Sequence, residues 1–177
     1  MKKLLILSTS LLVAACMQIP SKHASYLTSV NYDNKTGFTE YMRLPGGTIK
    51  IPGEWKEAGY VSNSNEMQLT NESGELITIA LNDVVKYSFY SKYLQGTALL
   101  DAFYEWESDY ILKETWLKIS VLERDANYIL YCTYGNNIDN MFLVSNKNDR
   151  YLYIYAVKIS PMDKEQRMAF LKDIKPC

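Results

Sequence analysis

The sequence predicts an α+β domain in which an antiparallel sheet is covered by helices on both faces. Three observations carry this expectation. Four strand candidates follow one another after residue 115: WLKISVLE, YILYCTY, NMFLVSN and RYLYIYAVKI. Only short polar turns at 124–127, 135–137 and 146–149 separate them, and turns that short join antiparallel neighbours. In the last of these strands Tyr151, Tyr153, Tyr155, Val157 and Ile159 occupy one face and Leu152, Ile154 and Ala156 the other, so both faces need cover. Two segments with helical spacing, residues 97–113 and the stretch after Ser160, are available to supply it.

The folded part is expected from Tyr41. YMRL and TIKI are short strand candidates around Pro45-Gly46-Gly47, and Pro52-Gly53 precedes Trp55, a side chain large enough to close one end of a core. EMQLT and ELITIALN flank Asn71-Glu72-Ser73-Gly74, a hairpin signal. In the first of these Met67 and Leu69 alternate with polar residues. Residues 76–81 are nearly continuously apolar and so read as more deeply buried. The helix expected over 97–113 has Thr97 as its cap. Its inner face is Leu99, Phe103, Trp106 and Tyr110, flanked by Leu100 and Ile111, with Asp101, Glu105, Ser108 and Asp109 opposite. The last helix starts with Ser160 as cap, Pro161 in the first turn and Asp163 near its positive end, and buries Phe170, Leu171 and Ile174.

Ahead of this domain stands MKKLLILSTSLLVAAC. Lys2 and Lys3 provide a positive start, residues 4–13 an apolar core too short to span a bilayer comfortably, and Ala14-Ala15 small residues before Cys16. Val-Ala-Ala-Cys resembles a bacterial lipobox, in which the cysteine thiol receives a diacylglycerol and becomes the first mature residue. The competing readings are a plain secreted chain with a chance cysteine and an uncleaved anchor helix. Three acyl chains at one terminus give stable anchorage, at about 0.8 kcal/mol per buried methylene. Met17 and Gln18 follow, with no aspartate to favour inner-membrane retention, so the expected address is the outer membrane, facing the periplasm. The division expected is therefore a signal peptide over 1–15, a lipidated N terminus and flexible tether over 16–40, and a single α+β domain over 41–177. Tyr26, Leu27 and Val30 are able to form a short helix or strand within that tether.

Removing residues 1–15 from 177 leaves 162, one domain's worth. It takes two of the 19 basic residues, leaving 17 against 20 acidic, a formal charge of −3. With no basic run or stripe, nucleic acid is not an expected partner. Lipidation consumes one of three cysteines, and the remaining two, Cys132 and Cys177, are a candidate disulfide in an oxidising compartment.

TIKIPGEW (48–55) and the strand-to-helix passage LYIYAVKISPMDKEQRMAFLKDI (152–174), in this order of elements, resemble the Mog1/PsbP-like fold. That fold is an α/β/α sandwich that includes DcrB-like bacterial lipoproteins. The resemblance implies a binding or assembly role exercised through surfaces. It transfers no site residues, because the fold hosts many functions.

The residues name no reaction. There is no Cys-x-x-Cys, no His-Glu-x-x-His, no Gly-rich phosphate loop and no Gly-x-Ser-x-Gly elbow, and the one histidine, His23, lies in the tail. No metal, cofactor or catalytic residue is expected. Asp101, Glu105 and Asp109 recur every four residues on one helix ridge. A convex ridge offers no converging oxygens, and Lys113 stands ready to pair with Asp109. The 15 tyrosines are more informative. The segment KYSFYSKY, with Tyr87, Phe89, Tyr90 and Tyr93, reads as an aromatic surface loop suited to partner binding.

The function expected is a non-enzymatic, membrane-anchored, periplasm-facing lipoprotein that binds a protein partner or supports an envelope assembly. The alternatives are an immunity protein that neutralises a secreted toxin and a carrier of a small apolar ligand. Cys16→Ser is expected to move the chain from the membrane pellet to the soluble fraction after alkaline washing. Persistent anchorage of that variant in the pellet would refute the lipid attachment.

Overall fold

The computed structural model describes residues 27–177. The expected signal peptide, Cys16, His23 and residues 16–26 of the expected tether lie outside the described residues. In chain order the described part runs β1 (Leu27–Asp33), β2 (Phe38–Leu44), β3 (Gly47–Pro52), β4 (Lys56–Val61), β5 (Glu66–Thr70) and β6 (Leu76–Asp83). A short 3-10 turn (Val84–Lys86) leads to α1 (Gly96–Glu114), then β7 (Lys118–Arg124), β8 (Tyr128–Gly135), β9 (Ile138–Lys147) and β10 (Tyr151–Ile159). The chain closes with α2 (Lys164–Asp173) and β11 (Lys175–Pro176).

These strands build two antiparallel sheets, one in the order β1-β2-β3-β11 and the other in the order β4-β5-β6-β10-β9-β8-β7. The expected α/β/α sandwich is therefore corrected. Helix α1 covers one face of the seven-stranded sheet, but the opposite face is covered by the four-stranded sheet together with α2. The reason is a period-two stripe over residues 39–51. Thr39, Tyr41, Arg43, Ile49 and Ile51 are buried, while Glu40, Met42 and Lys50 between them are only partly so. A strand can present that stripe to a core and a helix cannot. Residues 27–40, expected as tether, contribute all of β1 and the start of β2 to this layer.

The core between the sheets contains Tyr41, Ile49, Ile51, Leu69, Ile77, Ile79, Tyr153 and Tyr155, closed at its ends by Trp55 and Leu171. The second core, beneath α1, contains Leu99, Leu100, Phe103, Ile129, Tyr131, Val144, Leu152 and Ala156. Each such large apolar side chain contributes about 1.5–3 kcal/mol by leaving water. Polar ties fix the sheets to each other. Arg43, 1% exposed, donates from Nη1 to the carbonyls of Leu81 (3.0 Å) and Asn65 (3.2 Å). The Tyr153 hydroxyl donates to the Gly46 carbonyl at 2.7 Å. That bond explains the neighbouring glycine: at Gly47 (φ +126°) a Cβ would stand 2.8 Å from the Tyr153 oxygen.

Both helix starts differ from the expected caps. The first helix begins at Gly96, not after a Thr97 cap, and its N–H donates to Asp149 Oδ1 at 2.7 Å. Asp149 sits in the β9–β10 turn, so a carboxylate distant in sequence serves the positive helix end. The Gly96 N–H, followed by Asn146, holds the Asp149 acid below the ordinary range. For α2 the cap is Asp163 rather than Ser160. Asp163 and Gln166 form a reciprocal capping box, and the Ser160 hydroxyl donates to Glu75 at 2.5 Å. Tyr110, expected inward, is instead exposed at the outer flank of α1.

Tyr153→Phe removes the donor to Gly46 and leaves that carbonyl unsatisfied beside the core. A loss of about 1–2 kcal/mol of unfolding free energy is expected, read from the urea midpoint at unchanged slope.

Candidate functional site

Helix α1 lies against β7, β8 and β9. On the same face, strand alternation brings other side chains up from the far half of the sheet. Met67 and Leu69 of β5 point into the core between the sheets, so Glu66, Gln68 and Thr70 point to the α1 side. By the same alternation β6 contributes Thr78, Ala80 and Asn82. Where the edge of α1 meets this strip, a cavity of about 270 Å³ opens. Ala80, Phe142 and Ile154 form its apolar floor, Phe103 and Trp106 its helical wall, and residues 63–66 and Lys86 its rim.

The segment between β6 and α1 builds the remaining wall. Tyr87 stacks on Phe89 with centroids 5.2 Å apart and meets Phe103 (5.5 Å) and Trp106 (5.2 Å) edge-on. Its hydroxyl accepts from Asn82 Nδ2 at 3.0 Å, and burial pushes its pKa up to about 12. Asn82 Nδ2 also donates to the Ser64 carbonyl at 3.2 Å, which fixes the amide orientation and turns Oδ1 elsewhere. Beneath, Tyr131 lies flat on Phe142 at 5.0 Å and takes Tyr104 edge-on.

Two ionisable groups share this region. Glu107 is partly buried on α1, and burial raises its acid above the ordinary 4.5, an effect that nearby Lys158 opposes and Glu66 reinforces. Burial lowers Lys158 from 10.5, against the pull of Glu66 and Glu107, and its ammonium lies 4.3 Å from the centroid of Phe142. Both shifts have one leading cause, burial, which disfavours the charged form of each group, and the opposite charge of the other acts against it. Among the described residues, no three metal-ligating side chains converge.

The aromatic loop expected to meet a partner is split by the structure. Tyr87 and Phe89 pack on α1, whereas Tyr90 is 39% and Tyr93 81% exposed. The acidic ridge is engaged in surface pairs: Asp109 with Lys113 at 2.7 Å, and Asp101 with Arg124. Cys132 and Cys177, the candidate disulfide, are both free. Cys132 feels Lys164 and Arg167 at the start of α2, while Cys177 follows its end, where its N–H bonds the Thr48 carbonyl at 2.9 Å. Burial raises the Cys132 thiol, the opposite of what a nucleophile needs.

Sequence reasoning missed Glu107, Lys158, Asn82 and Tyr131. Two signals were available. Leu100, Phe103, Glu107 and Ile111 follow helical spacing, which sets a carboxylate in the inward series. Lys158 is the one charged residue within β10. Also unanticipated is Trp116, 91% exposed between α1 and β7, with exposed Leu112, Tyr134 and Ile138 on the adjoining elements. The backbone of Gly135 stands close to the Trp116 carbonyl, where a Cβ would approach within 3.3 Å, so Trp116 sits beside the β8–β9 turn. Compared with known families and with curated proteins, the chain matches no family model and no curated sequence.

Because folding raises the Glu107 acid, the native state holds its proton longer than the unfolded chain. Stability from this group is lost as pH rises from about 4.5 through the raised value, and is constant above it. Glu107→Gln is expected to flatten that part of the curve, so its advantage over the parent grows across this window. Urea titrations at stepped pH provide the measurement.

Proposed function

We propose that this chain is a lipid-anchored envelope module, held through Cys16, that binds a protein partner where α1 ends and β7 begins. The observation that carries the reading is Trp116. An indole 91% exposed beside the β8–β9 turn gains most when another surface covers it. Tryptophan and tyrosine dominate binding energy at such surfaces because they bury large area at small entropic cost.

The neighbouring strand supports the same reading. β7 is an edge of the seven-stranded sheet, so its outer N–H and C=O groups face away from β8. A partner strand can add there with its side chains reaching Trp116. The register shift between Val121 and Glu123 interrupts the ladder, leaving the segment from Lys118 to Val121 next to Trp116 as the regular part. A secreted toxin is one class of partner this surface would serve. A carrier of apolar ligand fits less well, since Glu66, Lys86 and Glu107 line the recess beneath α1.

A photo-crosslinking residue placed at Trp116 in intact envelopes is expected to yield one discrete adduct, whose identity separates an assembly partner from a toxin. Trp116→Ala is expected to weaken capture of that partner by about 2 kcal/mol or more, with the fold unchanged by circular dichroism. The absence of any discrete adduct from position 116 would count against the surface.

A further inference from the structure

We infer that the end of the molecule at which β1 begins docks on the bilayer surface, its exposed apolar side chains entering the interfacial layer while the Trp116 surface faces away. The inference rests on the Cys16 anchor of the reading above and adds to it an orientation and a second membrane contact. Register gathers the elements of this end. Leu27 of β1 pairs with Leu44 of β2, and Tyr151 of β10 pairs with Asp83 of β6 and Lys147 of β9. The bonds from Tyr153 to Gly46 and from Arg43 to Leu81 and Asn65 bring both groups to the same end. Helix α1 starts there too, since the Gly96 N–H reaches Asp149 in the β9–β10 turn.

Four large apolar or aromatic side chains project from this end. Leu27 is 62%, Leu44 47% and Val85 60% exposed, and Tyr93, three residues before Gly96, is 81% exposed. They come from separate segments, and a headgroup layer receives such projections one by one without a matching shape. Tyrosine suits that depth because its ring is apolar and its hydroxyl keeps water. The Lys92 ammonium, 5.1 Å from the Tyr93 ring centroid, has the stem length to stay among phosphates. Lys86, Lys92, Lys147 and Arg150 share this end with Asp83 and Asp149. Arg150 pairs with Asp83 at 3.7 Å, the Gly96 N–H and Asn146 hold Asp149, and Lys147 donates to the Cys177 carbonyl. The positive surplus is small, so the apolar side chains carry the contact and anionic lipid only strengthens it.

Chain length decides what covers these side chains. Eleven peptide units join Cys16 to Leu27, and even fully extended they reach at most about 40 Å. With acyl chains at Cys16 in the bilayer, Leu27 stays within that distance, and tethering makes even a weak contact persist. The nine residues of β10 run about 30 Å from this end to Ile159. Trp116, beside the β8–β9 turn, belongs to that far end and stays open to a partner.

The lipidated chain, purified from membranes, would be reconstituted in phosphatidylcholine vesicles doped with a phosphatidylcholine that carries a photoactivatable diazirine high on one acyl chain. Adducts mapped by mass spectrometry after irradiation are expected at 44, 85 and 93 at least about tenfold above those at 116 and 138, which are exposed at the far end and report random collision. Val85→Asp combined with Tyr93→Asp, both at exposed positions, is expected to lower labelling at 44 about tenfold while the chain still floats with the vesicles. Equal labelling of the two ends, labelling confined to 116 and 138, no adducts, or labelling at 44 unmoved in the folded double variant would each overturn the docking. The mass of the N-terminal peptide reads the anchor separately. An acylated Cys16 with any of those patterns removes the docking surface alone, whereas an unmodified Cys16 removes the anchor and the docking with it.

Discussion

Strand β10 lies between β6 and β9, and the rest of the molecule depends on those two ladders. The strands β4–β6 form one consecutive meander and β7–β9 another, with α1 between them in sequence. Only β10 joins the two halves, pairing Tyr151 through Val157 with Asp83 through Ile77 on one side and with Lys147 through Met141 on the other. A one-residue slip in either ladder would exchange its two faces. Tyr153, Tyr155 and Val157 would leave the core between the sheets, and Leu152 and Ala156 would leave the core under α1. The tie from Tyr153 to Gly46 adds a polar constraint on the same register, because no neighbouring residue could make it.

A sheet closed in this way needs cover on both faces, and the two covers have unequal reach. Seven strands about 4.8 Å apart span nearly 30 Å, whereas a helix with its side chains is about 10 Å across. A second sheet with α2 beside it can roof one face, but α1 lies mainly over β7, β8 and β9 of the other and reaches β10 through Leu152 and Ala156. The rest of that face therefore alternates toward polar residues, from Glu66, Gln68 and Thr70 to Thr78 and Asn82. The cavity lies along the line where apolar cover stops. Glu107 and Lys158 sit on that line, close enough to the second core for burial to raise the pKa of one and lower that of the other.

Much of the fold was legible from alternation and turns. The hairpin at 71–74, the meander after residue 115 and both helices were expected and are present, since periods of 2 and 3.6 are local properties of the chain. The helix caps were less legible. Asp149 lies 53 positions from the Gly96 N–H it accepts, and no local pattern around Thr97 announces it. The site was legible only in part. Tyr87 and Phe89 stood out as aromatic, but the sides they turn to depend on Phe103 and Trp106 in a later element. Glu107 occupies an inward helical position and was overlooked because its neighbours Glu105 and Asp109 form the evident acidic ridge.

What the sequence determined by itself is most of the strands, both helices and most of their buried faces. Period, turn residues and composition are carried by adjacent residues, so they survive without knowledge of the fold. What only the tertiary structure decided is which layer covers which face. The stripe from Thr39 to Ile51 required a core but did not specify one, and its packing on β6 and β10 turned an expected sandwich of helices into two stacked sheets. The same decision left Cys132 and Cys177 as free thiols and Trp116 bare, and brought Glu66, Glu107 and Lys158 together from three elements. Those outcomes depend on contacts between residues tens of positions apart, whose closeness is set by the global minimum of burial and hydrogen bonding rather than by any local preference.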